Sequence, residues 1–345
     1  MKKTLFFGMV VLLSLSLLLG ACSSNNAADA PSSDTAEEIL GEAFDDNEGE
    51  DLAEAEPVTL RIAVLPIIDT LPMFVAYDEG IFEDFNLDVE FIPVSSAPEL
   101  SQMISSGQAD GMVTDGLTVA FFDKEEPQIQ IVRYAQRPSA DAGHFFILAA
   151  KDSGITDAAD LKGVEIGISE GTIIEYVTDR LLEKEGFAAD EIQTIAVPKI
   201  PERMALLGSG EIQAAVLPDP LASLAVQQGA RIVLDDSQSP EYGASVYVFS
   251  KEMIDEHPQA IQAFVDAIDI AVGFLASDPE EYTSTLVKNK LVPQPLIESF
   301  VIPPFPNGVY TREEWADTLT WAQSKGLLNV NIPYENAVDT SFTDK

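Results

Sequence analysis

The chain of 345 residues contains one cysteine, two histidines and two tryptophans, and its 58 acidic residues outnumber 19 basic ones. Each scarcity excludes something. One cysteine forms no disulfide within the chain, so stability outside a reducing compartment rests on the core alone. One cysteine and two histidines do not build a histidine–cysteine zinc cluster; neither a metal nor a cofactor is expected. The formal net charge of −39 argues against nucleic acid and anionic membrane surfaces as partners, because both demand a basic face. No Gly-rich phosphate loop follows the first strand pattern, and no Gly-x-Ser-x-Gly elbow occurs. A carboxylate pair such as Asp69 and Asp115 is the remaining acid–base candidate, and the expected class is not an enzyme. Long hydrophobic runs are also scarce: Leu5–Leu19 is apolar but short of the roughly 20 residues of a membrane span.

What that run does have is an export pattern: Lys2 and Lys3 before it, small residues after it. Its end, Leu19-Gly20-Ala21-Cys22, resembles the lipobox of bacterial lipoproteins. The resemblance implies a signal peptide over 1–21 and a lipid on Cys22, holding the chain on the outer face of a membrane; an ordinary secretory signal with a chance cysteine is the alternative. From Ser23 to Glu56 there are twelve acids and no Lys or Arg. So little apolar surface cannot offset ordering entropy, and 22–57 reads as an acidic disordered linker. The rest still carries 46 acids and 17 bases, a charge of −29, so the acidity belongs to the body as well.

From Val58 onward strands and helices alternate. Leu60–Leu65, Leu87–Ile92, Gly111–Thr114, Ile129–Ala135 and Phe145–Ala150 read as strands, with helices over Pro72–Glu79, Pro98–Ser106 and Leu117–Asp123. The pattern restarts: strands Val164–Ile168, Gln193–Val197, Ala214–Leu217 and Arg231–Leu234 alternate with helices Thr172–Glu185, Pro201–Leu207 and Pro220–Gln228. After the strand Ser245–Ser250, helices are expected over Pro258–Ala276, Pro279–Lys290, Pro295–Phe300 and Thr311–Lys325. Such alternation means parallel sheets with crossover helices, an α/β fold. Glu99–Asp115 and Glu202–Asp219 share one pattern at an offset of 103 residues: a helix ending in Ser-Gly, a buried strand, then an aspartate. Two similar α/β units fit a two-lobed protein with a cleft.

Several segments in order carry a wider resemblance. They are Leu60-Arg61-Ile62-Ala63-Val64, Pro72-Met73-Phe74-Val75-Ala76, Glu79-Gly80-Ile81-Phe82 and Leu87-Asp88-Val89-Glu90-Phe91. Ser106-Gly107-Gln108-Ala109-Asp110, Asp160-Leu161-Lys162-Gly163, Gly210-Glu211-Ile212-Gln213-Ala214 and Ser250-Lys251-Glu252 before His257-Pro258 extend the series. Together, over roughly Val58 to Trp321, they resemble substrate-binding proteins of ABC importers, in the branch that handles sulfonates, nitrate and thiamine-pyrimidine precursors. The resemblance implies the type II periplasmic-binding-protein fold: two α/β lobes joined by two hinge strands, with the ligand cleft between them. Lobe I would comprise 58–145 and 246–345, lobe II 146–245. The implied partners are a small-molecule solute, a membrane permease and its ATPase; a monomer is expected. A ligand-loaded sensor subunit is the alternative role.

Ligands of open α/β sheets lie beyond the carboxyl ends of the strands. Four loops qualify. Asp69 and Thr70 follow the first strand; Thr114, Asp115 and Gly116 follow a buried one. Ser169, Glu170, Gly171 and Thr172 open a long helix, where free N–H groups hold acceptors. Pro218 and Asp219 form a rigid turn. Asp69, Asp115 and Asp219 equally fit helix N-caps, and Thr172 with Glu175 fits a capping box. Arg137, His144 and Tyr242 near the crossings complete the set, with Tyr176 read as core or wall. A sulfonate or nitrate pocket wants Arg, Lys or convergent donors. These loops offer carboxylates instead, which favours a neutral or cationic solute or a heterocycle with N–H donors. The loop Leu65-Pro66-Ile67-Ile68-Asp69-Thr70 departs from the segment expected of pyrimidine binders, so a different aromatic or polar metabolite stays open.

Cys22→Ala is expected to move the protein from the membrane to the soluble fraction while ligand affinity stays the same; fractionation and calorimetry read the two effects separately, and lost affinity would contradict the tether reading.

Overall fold

The structure, a computed structural model, describes residues 56–343. The readings placed on 1–21, on Cys22 and on the acidic chain up to residue 55 lie outside the described residues.

The first half runs β1 (Val58–Val64), α1 (Leu71–Asp78), α2 (Ile81–Asp84), β2 (Leu87–Pro93), α3 (Ala97–Ser105), β3 (Gly111–Thr114), α4 (Gly116–Phe122) and β4 (Ile129–Gln136). The second runs β5 (Phe145–Ala149), β6 (Glu165–Ile168), α5 (Ile173–Lys184), β7 (Gln193–Ala196), α6 (Ile200–Ser209), β8 (Ala214–Pro218), α7 (Leu221–Gln227) and β9 (Arg231–Asp235). Then come β10 (Ser245–Ser250), α8 (Lys251–Glu256), α9 (Pro258–Ser277), α10 (Thr283–Lys288), α11 (Arg312–Ser324) and α12 (Tyr334–Ala337). Two five-stranded sheets result, ordered β2-β1-β3-β10-β4 and β7-β6-β8-β5-β9. In each, three strands are parallel and joined by helices, as the repeated sequence pattern requires. In each, an antiparallel strand then inserts beside the third: β10 between β3 and β4, and β5 between β8 and β9. The chain therefore crosses between the sheets twice, over 137–144 and over 236–244.

β3, β4 and β8 are buried at every position; β3 and β8 accordingly read as short apolar runs rather than alternating ones, whereas β4 also buries Gln130, Arg133 and Gln136. One face of the first sheet packs on α1 and α9, where Phe264 is ringed by Phe82, Tyr247 and Phe249 at centroid distances of 5.5, 5.5 and 5.0 Å. α9 is long and apolar enough to cross a membrane, with a mean hydropathy of 1.6; here it is a core helix, and its Ile261, Phe264, Val265 and Ile268 are buried in that layer. α11 lies between the units. Its Glu314 accepts from Arg137, and its Trp321 donates to Asp179 of α5. One buried cluster consequently runs from Met112 and Leu117 through Trp315 and Trp321 to Ile168 and Tyr176.

Three C-terminal expectations change. The helix over Pro279–Lys290 is split into a 3-10 turn, Pro279–Tyr282, and α10, and it ends where Lys290 takes a positive φ of 55°. The helix over Pro295–Phe300 is only a 3-10 turn, Gln294–Leu296. α8 was not expected, although Ser250 caps it by accepting from the Met253 N–H at 3.2 Å.

Phe264→Ala should cost about 3–5 kcal/mol of stability, read from the urea midpoint at constant slope; a loss under about 1 kcal/mol would mean the aromatic ring cluster is not the keystone of this layer.

Candidate functional site

The carboxyl ends of β1, β3, β6 and β8 face one another across a cavity of ≈ 80 Å³. From β1 and the loop after it come Leu65, Ile67 and Asp69; from β3, Val113, Thr114 and Asp115. The second sheet supplies Ser169 after β6 and Pro218 at the end of β8. Ser96, Ala97 and Leu100 at the start of α3 face Ile173, Ile174, Pro198 and Ile200 across the space. His144, Phe145 and Ser245 close the side toward the crossings. No Lys or Arg lines it. Two buried arginines lie outside this lining: Arg203 donates to the Val216 and Val197 carbonyls and leaves its Nη2 without a partner, and Arg133 binds Asp269, the Tyr134 carbonyl and Asn307.

Asp115 is the polar centre of this cavity. It caps α4, accepting from the Thr118 N–H at 2.9 Å and the Thr118 hydroxyl at 3.3 Å. Burial pushes its carboxyl up to about 6 against those bonds, so it changes between acceptor and donor within the physiological range.

His144 sits between the sheets and gathers four groups. Its Nδ1 lies 2.7 Å from the Gly243 carbonyl and its Nε2 lies 3.1 Å from Asp69 Oδ1. A carbonyl only accepts, so Nδ1 donates; with Nε2 against a carboxylate, the ring holds both protons. Burial opposes the charge, but Asp69, then Asp236 and the Gly243 carbonyl outweigh it and push His144 up to about 9. Burial likewise pushes Asp69 up, and the charge and hydrogen bond of His144 bring it below its usual range. The His144 and Phe145 N–H groups both donate to Asp236 Oδ1, at 2.7 and 3.1 Å. The Asp219 N–H donates to the His144 carbonyl at 3.1 Å. Gly243 is required here, since a Cβ on it would lie 2.0 Å from Asp236 Oδ2.

Of the residues singled out in the sequence, Asp69, Thr114, Asp115, His144, Ser169 and Pro218 meet at this cavity. The others lie elsewhere. Thr70 is buried and donates to the Ile67 carbonyl. Gly116 lies so close to Tyr310 that a Cβ would be 2.8 Å from its ring. Arg137 pairs with Glu314 at 3.0 Å. Glu170 is exposed. Gly171 donates its N–H to Glu175, and Thr172 caps α5 through the Ile174 N–H. The Thr-x-x-Glu pattern is thus used for capping, with the glutamate reaching Gly171 instead of Thr172. Tyr176 is core, its hydroxyl donating to Asp317. Tyr242 packs edge-on against Tyr176. Asp219 accepts from the Ser223 N–H at 2.9 Å and lines a second cavity, of ≈ 620 Å³. Sequence reasoning missed the apolar lining, Ile67, Leu100, Ile173 and Ile200 among it, and missed Asp236 and Gly243. Position just after a strand end marks Ile67 and Ile173; nothing local marks Asp236.

The family described as NMT1/THI5 like matches residues 67–282. The chain is 23% identical over 252 residues to the "Putative aliphatic sulfonates-binding protein" of Escherichia coli K12, covering 72% of this chain and 77% of that one. It is 21% identical over 357 residues to the "Formylaminopyrimidine-binding protein" of Halalkalibacterium halodurans, covering 98% and 99%. Its fold is similar to that of the alkanesulfonate-binding protein SsuA of Xanthomonas axonopodis pv. citri bound to MOPS, with a TM-score of 0.69 at 19% identity, covering 83% of this chain and 99% of that one. The architecture is the periplasmic-binding-protein fold, mixed α/β in two lobes.

The His144 pair predicts a pH dependence. The histidine is raised from 6.5 to about 9, so the stability it adds is fully present below pH 6.5 and is lost as pH rises through about 9. Asp69 is lowered from 3.8, so its contribution is present above that value and lost on acidification. Urea titrations should show roughly 2–4 kcal/mol lost from near neutral pH to above pH 9. His144→Gln should flatten that slope and lower stability throughout, because Asp69 keeps its burial without its partner; an unchanged slope would disprove the pairing.

Proposed function

Because the chain belongs to the NMT1/THI5-like family, we propose that it is the solute-binding component of an ABC importer: it captures a small organic molecule between its lobes without chemically changing it. Residues 58–145 with 246–345 form one lobe in this reading, and 146–245 the other. The observation that carries it is the lining of the cleft. Strand ends from both sheets supply an apolar wall with a few polar groups at one end, the usual make-up of a small-molecule site.

The same lining selects among solutes. The relatives' names divide between sulfonates and a formylaminopyrimidine. A sulfonate needs cationic or convergent N–H partners, whereas no Lys or Arg lines this cleft. Gly171, at the start of α5, already gives its N–H to Glu175. Asp115, Thr114 and Ser169 suit a neutral heterocycle that carries N–H donors, with Ile173, Ile174 and Ile200 against its ring faces.

A cavity of ≈ 80 Å³ is far below the roughly 300–1,000 Å³ of occupied small-molecule sites. This conformation therefore has no room for the solute, which would enter with the lobes further apart about the two crossings and be held in a form wider than this one. The loaded form is what a permease and its ATPase would recognise. A lipid on Cys22, after Leu19-Gly20-Ala21, would keep the body at the outer face of the membrane beside them.

Calorimetry against aminopyrimidines, taurine and nitrate tests this. An aminopyrimidine should bind and the two anions should not. Asp115→Ala should weaken that binding by about tenfold or more, while the lost cap lowers stability by only about 1 kcal/mol. Affinity should fall as pH drops through about 6, where Asp115 becomes protonated and loses the charge that makes it a strong acceptor for the ligand. Tight binding of taurine alone would overturn the ligand class; conversion of a bound compound would overturn the binding role.

A further inference from the structure

The ≈ 620 Å³ cavity lies beside the crossings, and His144 lines it as well as the cleft. One side is the end of β4, with Gln136, and the first crossing, with Asp141. One wall comes from the second sheet and α7, with Phe146, Asp219 and Asp235; the other is the extended segment from Ser299 to Pro304. The rim is apolar and open: Ile232 is 43% and Val301 82% exposed.

Two observations give this space a chemistry. Three carboxylates, Asp141, Asp219 and Asp235, line it with no Lys or Arg. The positive charge of His144 is offset chiefly by its own partner Asp69; its field reaches Asp219 and leaves the three carboxylates in excess. Independently, Gln136 lines the cavity at 1% exposure, and its Oε1 has no hydrogen-bond partner. A buried acceptor left unpaired costs about 1–3 kcal/mol, and a ligand N–H removes that cost.

We propose that this cavity is a second binding site, separate from the cleft, for a small organic cation that presents N–H donors on an apolar body, such as an amidinium or a primary ammonium. An amidinium donates in a fork that fits one carboxylate with two parallel bonds. Its second edge reaches the Gln136 carbonyl, and its apolar part lies against Phe146 and Phe300. The volume is that of a small-molecule site, with room that the cleft lacks. The inference does not depend on what the cleft binds.

The test uses the full chain, calorimetry at physiological salt, and two probes of nearly equal shape and opposite charge, benzamidine and benzoate. Benzamidine should saturate a single site and benzoate should not bind. Asp235→Asn and Gln136→Leu should each weaken benzamidine by about fivefold or more, with Asp115→Ala leaving it unchanged. Asp235 is half-buried and its substitution keeps the side-chain shape, so the test stands if Gln136→Leu fails to fold. Equal binding of benzoate, no saturable benzamidine binding, insensitivity to Asp235→Asn, or loss on Asp115→Ala would each overturn the proposal.

Discussion

A charged imidazole with almost no access to water holds the centre of this molecule. Burying an ion costs several kcal/mol unless its hydrogen bonds and its counter-charge are both supplied. His144 receives Asp69 from the loop after β1, Gly243 from the second crossing, and the nearby charge of Asp236. Those groups come from positions 75 to 99 residues away in sequence. The histidine therefore ties the first lobe's ligand loop to both crossings. The opening and closing of the proposed function would pivot around this node, since pulling it apart leaves buried charges without partners.

α11 is a second constraint on the same motion. Arg180 of α5 meets Asp317 through two parallel bonds of 2.9 Å, and Lys325 reaches both Glu175 and Asp179. Ion pairs near solvent add little alone. The stronger hold is Trp321, 1% exposed and edge-on to Tyr176 at 5.4 Å. On the other side, Glu314 bonds Tyr134 and Arg137, and Trp315 donates to the Ile332 carbonyl. A lobe that opens must slide one of these two faces of α11. The face toward α5 carries one tryptophan-ring contact, one tryptophan N–H bond and three ion pairs across the divide, so in the proposed function opening would act against a packed surface as well as the hinge.

The alternation of β1 to β4 and of β6 to β9 was legible because each element carries its own period and stop, as Gly107 and Gly210 do at positive φ after α3 and α6. Asp115 was legible as a residue but not as a role: capping α4 and lining the cleft are the same geometry viewed from two sides. His144 was legible as a candidate at the crossing but not as an ion, since the partners that charge it lie far off in the chain. Arg137 read as a ligand candidate because the sequence does not show that Glu314 returns to it. The apolar cleft wall was illegible for a simpler reason. Ile173 and Ile200 carry no chemical mark that separates a wall facing solute from a wall facing core.

Charge acts at two ranges here, and both point the same way. The excess of 58 acids over 19 bases gives a negative field that lowers the local concentration of small anions and raises that of cations, an effect that weakens with salt. Inside the cleft the field is set by a few groups, and burial rather than pairing governs Asp115. A sulfonate arriving there would meet an unfavourable field outside and no cation within. A neutral ring with N–H donors loses nothing to the field and gains an acceptor that burial has left hungry for a proton. In the proposed function, selectivity against anions would need no dedicated repulsive residue: it would follow from the absence of Lys and Arg from the lining and from the engagement of the charged histidine by Asp69 and Gly243.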